Sequence, residues 1–452
     1  MSFPAYPAYK NSDVELLGEF PDHWMLKRFK NVFVERAERS TDGTEELLSV
    51  SAYFGIKPRS ETLDEGDHLS RAESLEGYKV CRVGDLVINI MLAWNRGLGF
   101  SWQKGIVSPA YSVFYITDGS SPNFLDYLVR SDECIRYFKT HSTGIMDSRL
   151  RLYPESFGRL FTAIPPACEQ IQIARFLDHE TARIDALIEE QRRLIELLKE
   201  KRQAVISHAV TKGLTPTVQM KDSGVEWLGE VPVHWLVAGL KWFWSVTDCK
   251  HITAEFVDDG IPLASIREVQ SRYVALDNAK QTTEVFYRQL IEGGRDLVAG
   301  DLIFSRNATV GEVAQVADWH PPFAMGQDVC VLKKRYEWLS SDYLQAVLRS
   351  PVVMVQLDNL MIGSTFKRVN VEDIRGIIVP MPPQDEQKDI AEYLIYETEM
   401  FDSLLSEAQN AIALLQERRS ALISAAVTGK IDVRGWQHPA SAASPELVQE
   451  AV

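Results

Sequence analysis

The chain has 452 residues, 45% of them hydrophobic, and its 48 Lys and Arg face 63 Asp and Glu for a net charge of −15. That length allows about three domains with substantial cores, while that charge excludes a protein that coats nucleic acid through bulk electrostatics, so any DNA-binding face has to be local. Cys81, Cys134, Cys168, Cys249 and Cys330 stand far apart with no C-x-x-C pair, which argues against a zinc cluster or a disulfide framework and suits buried thiols in a reducing compartment.

The opening MSFPAYPAYK has neither a basic leader nor an apolar core, and no 18-residue apolar span follows. A cytoplasmic chain is expected. Ser12–Trp24 reads SDVELLGEFPDHW and ends in Pro-x-His-Trp. Strands are predicted at Leu47–Ser51, Asp85–Met91 and Tyr111–Thr117, the second entered through a Gly-Asp turn. An amphipathic helix is predicted over Asn123–Thr140. Pro165-Pro166 and the Glu169-Gln170 pair then open a long helix from about Ala167 to Ala209. Leu177, Ile184, Ile188, Ile195, Leu198 and Val205 recur on it at the spacing of a heptad seam. At ~1.5 Å per residue it is roughly 60 Å long, and a helix of that length with one apolar stripe needs a partner.

The polar connector KGLTPTVQMKD follows, and then the whole pattern returns. SGVEWLGEVPVHW (Ser223–Trp235) repeats the opening, and Asp301–Ser305 and Asp328–Lys333 repeat the strands. Asp342–Leu360 repeats the amphipathic helix, with Pro351 expected to strain it. Pro382-Pro383 and Glu386-Gln387 open a second long helix at a constant offset of 217 residues. Its seam is Leu394, Phe401, Leu405, Ile412, Leu415 and Leu422. Such repetition points to pseudo-two-fold symmetry, with the second long helix as partner of the first. Beyond Asp432 the sequence is expected to be a disordered tail.

The expected fold class is α+β: two mixed α/β domains joined by two long helices that form an antiparallel coiled coil. The expected boundaries are 1–165, 166–213, 214–383, 384–431 and 432–452.

Catalytic signatures are missing. Gly429-Lys430 lacks the first Gly and the Ser/Thr of a P-loop, and there is no H-E-x-x-H or G-x-S-x-G. Ile164 and Met381 precede the two Pro-Pro pairs, so no amide or carboxylate stands there to hold a target amine. His23 and His234 recur in Pro-x-His-Trp, where packing on the tryptophan is the expected role. The acids that match between copies, Glu15 with Glu226 and Asp85 with Asp301, lie in turn contexts. No catalytic residue, cofactor site or metal site is therefore expected in this chain.

What differs inside the shared frame is the candidate specificity layer. After the Gly-Asp strand one copy runs NIMLAWNRGLGFS and the other SRNATVGEVA. Arg can read guanine and Asn adenine in the major groove, which nominates Asn89, Asn95, Arg96, Ser305, Arg306 and Asn307. Ser108, Tyr111, Gln327 and Asp328 follow in the next strand. Two basic, small-residue loops precede the long helices and suit phosphate contact: Ser148, Arg149 and Arg151, and Thr365, Lys367 and Arg368. Lys57, Arg59 and Arg267 are weaker candidates by the same logic. For the strand-end residues an ordinary polar turn is the alternative, and for the basic loops it is solvated loop charge.

The tandem globular-unit-plus-helix pattern, with G-E-x-P-x-H-W at each unit start and P-P-x-x-E-Q before each helix, resembles the specificity subunit of Type I restriction-modification systems over roughly Ser12 to Arg434. The resemblance implies two target-recognition domains, each reading half of a split double-stranded DNA site, with the paired helices as a ruler for the gap. It implies two adenine-methyltransferase subunits and restriction subunits as partners, which would use S-adenosylmethionine, ATP and Mg, and no catalysis in this chain. It carries the two long helices over as the regions that pair and contact the methyltransferases, with Glu169, Gln170, Glu386 and Gln387 at their starts. The competing expectations are a coiled-coil scaffold that binds only protein, and an enzyme with an unrecognised motif.

Overall fold

The computed structural model describes residues 3–14, 17–52, 54–62, 74–146, 149–361 and 368–439. The chain divides into two compact units, Met1–Gln191 with Asn410–Val452, and Arg192–Gln409. Each unit takes in part of both long helices, so the helices are framework within the units rather than domains of their own.

The first unit is built on an antiparallel sheet of β1 (Phe33–Glu35), β2 (Leu86–Asn89), β3 (Leu98–Phe100) and β4 (Tyr111–Ile116), in the order β1-β4-β2-β3. The second repeats it with β5 (Trp244–Asp248), β6 (Leu302–Ser305), β7 (Val313–Gln315) and β8 (Val329–Lys334), in the order β5-β8-β6-β7. The Gly-Asp turns enter the central strands as the sequence implies, with Gly84 and Gly300 at φ +83° and +90°. Asp85 is buried and takes two bonds from the Arg36 guanidinium, at 2.7 and 2.9 Å. Burial raises the carboxyl of Asp301, which accepts from the Val298 amide and lies 3.4 Å from Lys333 Nζ.

Each predicted amphipathic helix is two helices. The first breaks at Ser131 into Pro122–Arg130 and Asp132–Thr140, and the second breaks before Pro351 into Ser341–Leu348 and Pro351–Leu360. Ser131 is extended, and its Oγ accepts from the Cys134 amide as an N-cap. Pro351 does not strain a helix; it starts one, at the first-turn position where a missing N–H costs nothing. Phe124, Leu125, Leu128 and Val129 face the core of the first unit. Tyr343, Leu344, Val347 and Leu348 occupy the same places in the second.

The long helices run Ala167–Lys212 and Gln384–Val427, 46 and 44 residues. Gly213 and Gly429 follow them at φ +71° and +74°, in the left-handed cap that glycine adopts without a Cβ penalty. Within the first unit, Ile173, Phe176 and Leu177 share a core with Ala426 and Val427. Within the second, Ala209 and Val210 share one with Ile390, Ala391 and Leu394. In both, the start of one helix meets the end of the other, so the pairing is antiparallel. Leu177, Ile184, Ile188, Ile195, Leu394 and Phe401 are buried. Leu198, Val205, Leu405, Ile412, Leu415 and Leu422 are half-buried. The seam also includes Thr181 and Thr398, which the apolar pattern leaves out. Their hydroxyls donate to the carbonyls of Leu177 and Leu394 (2.7 and 2.6 Å), so neither brings an unpaired polar atom into the seam.

The segment after Asp432 is not a disordered tail as far as residue 439. Val433 is 1% exposed, and the Trp436 ring lies 5.5 Å from that of Phe176. The Asp432 amide donates to the Pro4 carbonyl (2.7 Å), and the Tyr9 hydroxyl donates to that of Gly429 (3.0 Å). A tryptophan face and a valine outweigh the polar composition here. No helix of the described residues is long and apolar enough to cross a membrane.

Candidate nucleic-acid interface

In each unit one end of the sheet gathers the loops that differ between the copies. Asn89, at the end of β2, pairs across to Tyr111 at the start of β4. The Leu152 amide donates to the Ile90 carbonyl (2.9 Å), which brings the basic loop before the long helix to the same end. In the second unit Ser305 pairs with Val329, the Arg306 amide donates to the Asp328 carbonyl (2.9 Å), and the Val369 amide donates to that of Arg306 (3.0 Å). An isolated bridge joins Asn307 to Arg368.

Three candidates are interior and cannot meet a ligand as placed. Asn89 is buried, and its Oδ1 accepts from the Met91 amide (3.1 Å) to shape the turn. Ser305 is buried, its Oγ bonded to Thr309 and to the Asn307 carbonyl. Arg306 is 3% exposed and ion-paired with Asp248. Burial acts to raise the Asp248 carboxyl, but Arg306 and the His251 ring outweigh it and hold the group below the usual range. A fourth, Arg96, sits at φ +60° with its guanidinium on the Arg130 carbonyl (2.9 Å) and the Asp132 carboxylate, so it braces the loop.

The remaining described candidates are at the surface. Asn95, Lys57, Arg149, Arg267, Gln327 and Arg368 are exposed. Arg59, Ser108, Tyr111, Arg151, Asn307 and Asp328 are half-exposed. Lys57 lies over the Phe54 ring at 5.6 Å. Burial raises the Tyr111 phenol, while the Arg59 charge beside it pulls the other way. The Ser108 hydroxyl accepts from the Ala110 amide, and Arg151 donates to the Leu150 carbonyl. Arg267 and Gln327 line one cleft of about 290 Å³ together with Phe256, Asn278 and Lys280. Lys280 Nζ lies 4.3 Å from the Phe256 ring centre, and sequence reasoning missed this pair. Neither residue has a counterpart in the repeat, and only a search for cation–aromatic pairs in the diverged stretches could have found them. Ser148, Thr365 and Lys367, like Glu15, lie outside the described residues.

The P-P-x-x-E-Q residues have a role that the sequence left open. Glu169 is buried and accepts from Tyr6 Oη (2.5 Å), His23 Nε2 (2.7 Å) and Trp24 Nε1 (2.9 Å). Burial first, and the bond to Glu169 second, push the Tyr6 phenol far up. Glu386 repeats the arrangement with His234 (2.6 Å) and Trp235 (2.9 Å). Gln170 Oε1 accepts from the Ser121 amide and its Nε2 donates to the Pro165 carbonyl; Gln387 does the same with Ser340 and Pro382. Glu169, Gln170 and Gln387 are therefore interior clamps that lock each long helix to its unit, and only Glu386 keeps an accessible edge. Glu169, Gln170 and Gln387 are not positioned to touch a partner, which corrects that part of the expectation. The His23 and His234 rings are hydrogen-bonded to these glutamates, and the His23 ring lies 5.6 Å from that of Tyr6.

The family model described as the Type I restriction modification DNA specificity domain matches residues 293–412. The MjaVIII specificity subunit of a Type I restriction enzyme from Methanocaldococcus jannaschii is 24% identical over 367 residues, covering 77% of this chain and 81% of the relative. The EcoKI specificity subunit of Escherichia coli is 23% identical over 303 residues, 65% of this chain and 62% of the relative. The fold is that of the HsdS subunit from Thermoanaerobacter tengcongensis, with a TM-score of 0.57 at 17% identity over 93% of this chain and all of that one. It is also that of a chain from a type I R-M system studied for its assembly, with a TM-score of 0.68 at 16% identity, covering 90% of this chain and 98% of that one. The tandem sheets, the clamped helix starts and these likenesses lead to one conclusion: the chain is a homologue of the specificity subunits of Type I restriction-modification systems.

Proposed function

We propose that the chain is the sequence-specific DNA-recognition subunit of a Type I restriction-modification complex. Each unit reads one half of a split target, and the paired long helices fix the gap between the halves. The chain performs no chemistry of its own. It directs adenine methylation by two methyltransferase subunits and cleavage by restriction subunits in the cytoplasm. One observation carries this reading: two copies of one sheet frame present, at the same end, loops that differ from each other, with Asn95, Arg149 and Arg151 at the surface of one and Asn307, Gln327 and Arg368 at the surface of the other. A common frame with different polar loops is what two different half-sites require, because phosphate contacts position a protein while base-edge contacts specify sequence. Lys57, Asn95, Arg149, Arg267, Gln327 and Arg368 are the exposed groups assigned to that contact, with Arg59, Ser108, Tyr111, Arg151 and Asn307 beside them. Ser148, Thr365 and Lys367 stay in the assignment on their sequence alone.

The test is a genome-wide map of methylated adenines in a host carrying this chain with its methyltransferase, against the same host lacking the chain. The expected result is a split motif with a fixed gap that vanishes with the chain. Unchanged methylation, or a contiguous motif, would favour a protein-only scaffold.

A further inference from the structure

The second unit carries a further four-stranded sheet, ordered Phe256–Val257, Gln281–Thr282, Ile261–Ala264 and Ala324–Met325. The helix Glu284–Ile291 lies against it, with Leu290 in one buried cluster with Ala254, Leu263 and Ala324. Helix and sheet together line the cleft of about 290 Å³ that holds Arg267 and Gln327, and Ala254, Leu263 and Leu290 make part of its wall apolar. The Gly326 amide donates to the Ala264 carbonyl (2.8 Å), and a Cβ at Gly326 would run into Ser265 Oγ, so glycine lets the two strands close at this edge. Gln327 and Asp328 follow, and the Asp328 carbonyl accepts from the Arg306 amide (2.9 Å). The cleft therefore adjoins the end of the unit where the diverged loops gather.

Its polar groups are mostly donors. Among the described residues Arg267 and Lys280 have no carboxylate partner, and the side-chain amides of Asn278 and Gln327 bond no other group. The one acid in the lining, Glu268, accepts from the Ser265 amide (2.8 Å). Phe256 is 54% exposed, with Lys280 Nζ 4.3 Å from its ring centre. A phosphate would use the two cations and leave the aromatic face and the apolar wall wet. A nucleobase uses all of them, since it is flat, stacks on an aromatic ring and carries acceptors at its edge. A base inside a duplex shows only that edge in the groove, so it has to leave the stack to enter a cleft. Lys and Arg offer no acceptor, which favours bases with a carbonyl in the major groove, guanine through O6 and thymine through O4.

We propose that this cleft holds one keto base, guanine or thymine, turned out of the half-site that the second unit reads. The base stacks on Phe256, and Lys280 moves from the ring face to its phosphate. This rests on the DNA-recognition reading, which supplies the half-site. It concerns a base other than the adenine that the methyltransferase takes out of the helix for its own chemistry.

The test measures binding of the complex between this chain and its methyltransferase to duplexes carrying the split motif. Each keto base of the second half-site, outside the methylated pair, is mispaired in turn by changing only the base opposite. Turning a base out is easier when it is already mispaired, so one mispair should tighten binding severalfold while the others weaken it. Phe256→Ala should abolish that gain and weaken binding to the intact motif about tenfold or more. Its thermal midpoint should stay put, since the ring is half in water. Lys280→Ala should weaken binding with a smaller salt slope. If every mispair weakens binding, or the gain survives Phe256→Ala, the proposal is overturned while the DNA-recognition reading stands. Uptake of free guanosine or thymidine by the chain, with no gain from any mispair, would overturn it too and make the cleft a small-molecule site. If the complex does not bind the split motif at all, the DNA-recognition reading falls and takes this one with it.

Discussion

Arg419 Nε lies 2.8 Å from the Asp185 carboxylate in the first unit, and Arg202 lies 3.6 Å from Asp402 in the second. The second pair is the first with the helices exchanged, since each residue has its counterpart 217 positions away. Residue i meets j′ and j meets i′, the signature of a two-fold contact built within a single chain. All four side chains are at least a third exposed, so each pair contributes no more than about 1 kcal/mol. Arg419→Asp should lower the melting midpoint of the chain slightly, and adding Asp185→Arg should restore it. A double-mutant cycle without coupling would show that the contact sets no register.

Glu169 and Glu386 are sequence equivalents with unequal burdens. Glu169 is buried beneath three donors, whereas Glu386 serves two and is 40% exposed. Leaving a buried donor unpaired costs about 1–3 kcal/mol. Glu169→Ala should therefore destabilise the chain by several kcal/mol and Glu386→Ala by clearly less, as read by urea unfolding.

Arg306 and Arg368 separate folding from recognition. Removing one member of a buried pair costs about 3–5 kcal/mol, so Arg306→Ala should yield little folded protein. Arg368→Ala should leave the melting curve unchanged and weaken binding to the methylation motif, with a smaller salt slope if its contact is a phosphate. Equal loss of stability in both variants would place Arg368 in the framework.

Asp248 gives a pH dependence with a definite sign. Its carboxyl is held below the usual range in the folded chain, so it contributes stability above the unfolded value of about 3.9. That contribution is lost as pH falls through the depressed folded value. The thermal midpoint of the second unit should fall on the acid side of about pH 4. Asp248→Asn should flatten that acid limb while lowering the midpoint at neutral pH, where Arg306 loses its counter-charge.

The helix pair can be tested as a ruler by deleting four residues around Ile188. At ~1.5 Å per residue this removes about 6 Å and breaks the heptad phase of the seam. The methylation map should report a shortened gap or no methylation, and an unaltered gap at full activity would sink the ruler.

Local patterns were the legible ones. The 4,3 spacing from Leu177 to Val205 placed a seam because helix periodicity is written in neighbouring residues. The Gly-Asp turns placed β2 and β6 for the same reason. What sequence could not give depends on distant residues. Arg306 follows its strand like any polar turn residue, and its burial is decided by Asp248, 58 positions earlier. The break at Ser131 hides inside a continuous amphipathic pattern, since a serine there fits a surface position as well as a cap. Trp436 sits in a polar stretch, and only the approach of Phe176 gives it a place.

The contact of Asp432 with Pro4 bears on the order in which the chain matures. The first unit needs residues from both ends, since Ala426, Val427 and Val433 belong to its core. The second is contained within Arg192–Gln409. Synthesis proceeds from the N-terminus, and domains fold as their residues emerge. The unit written second therefore has all its parts first, while the earlier one waits with an open core until Ala426, Val427 and Val433 have been made.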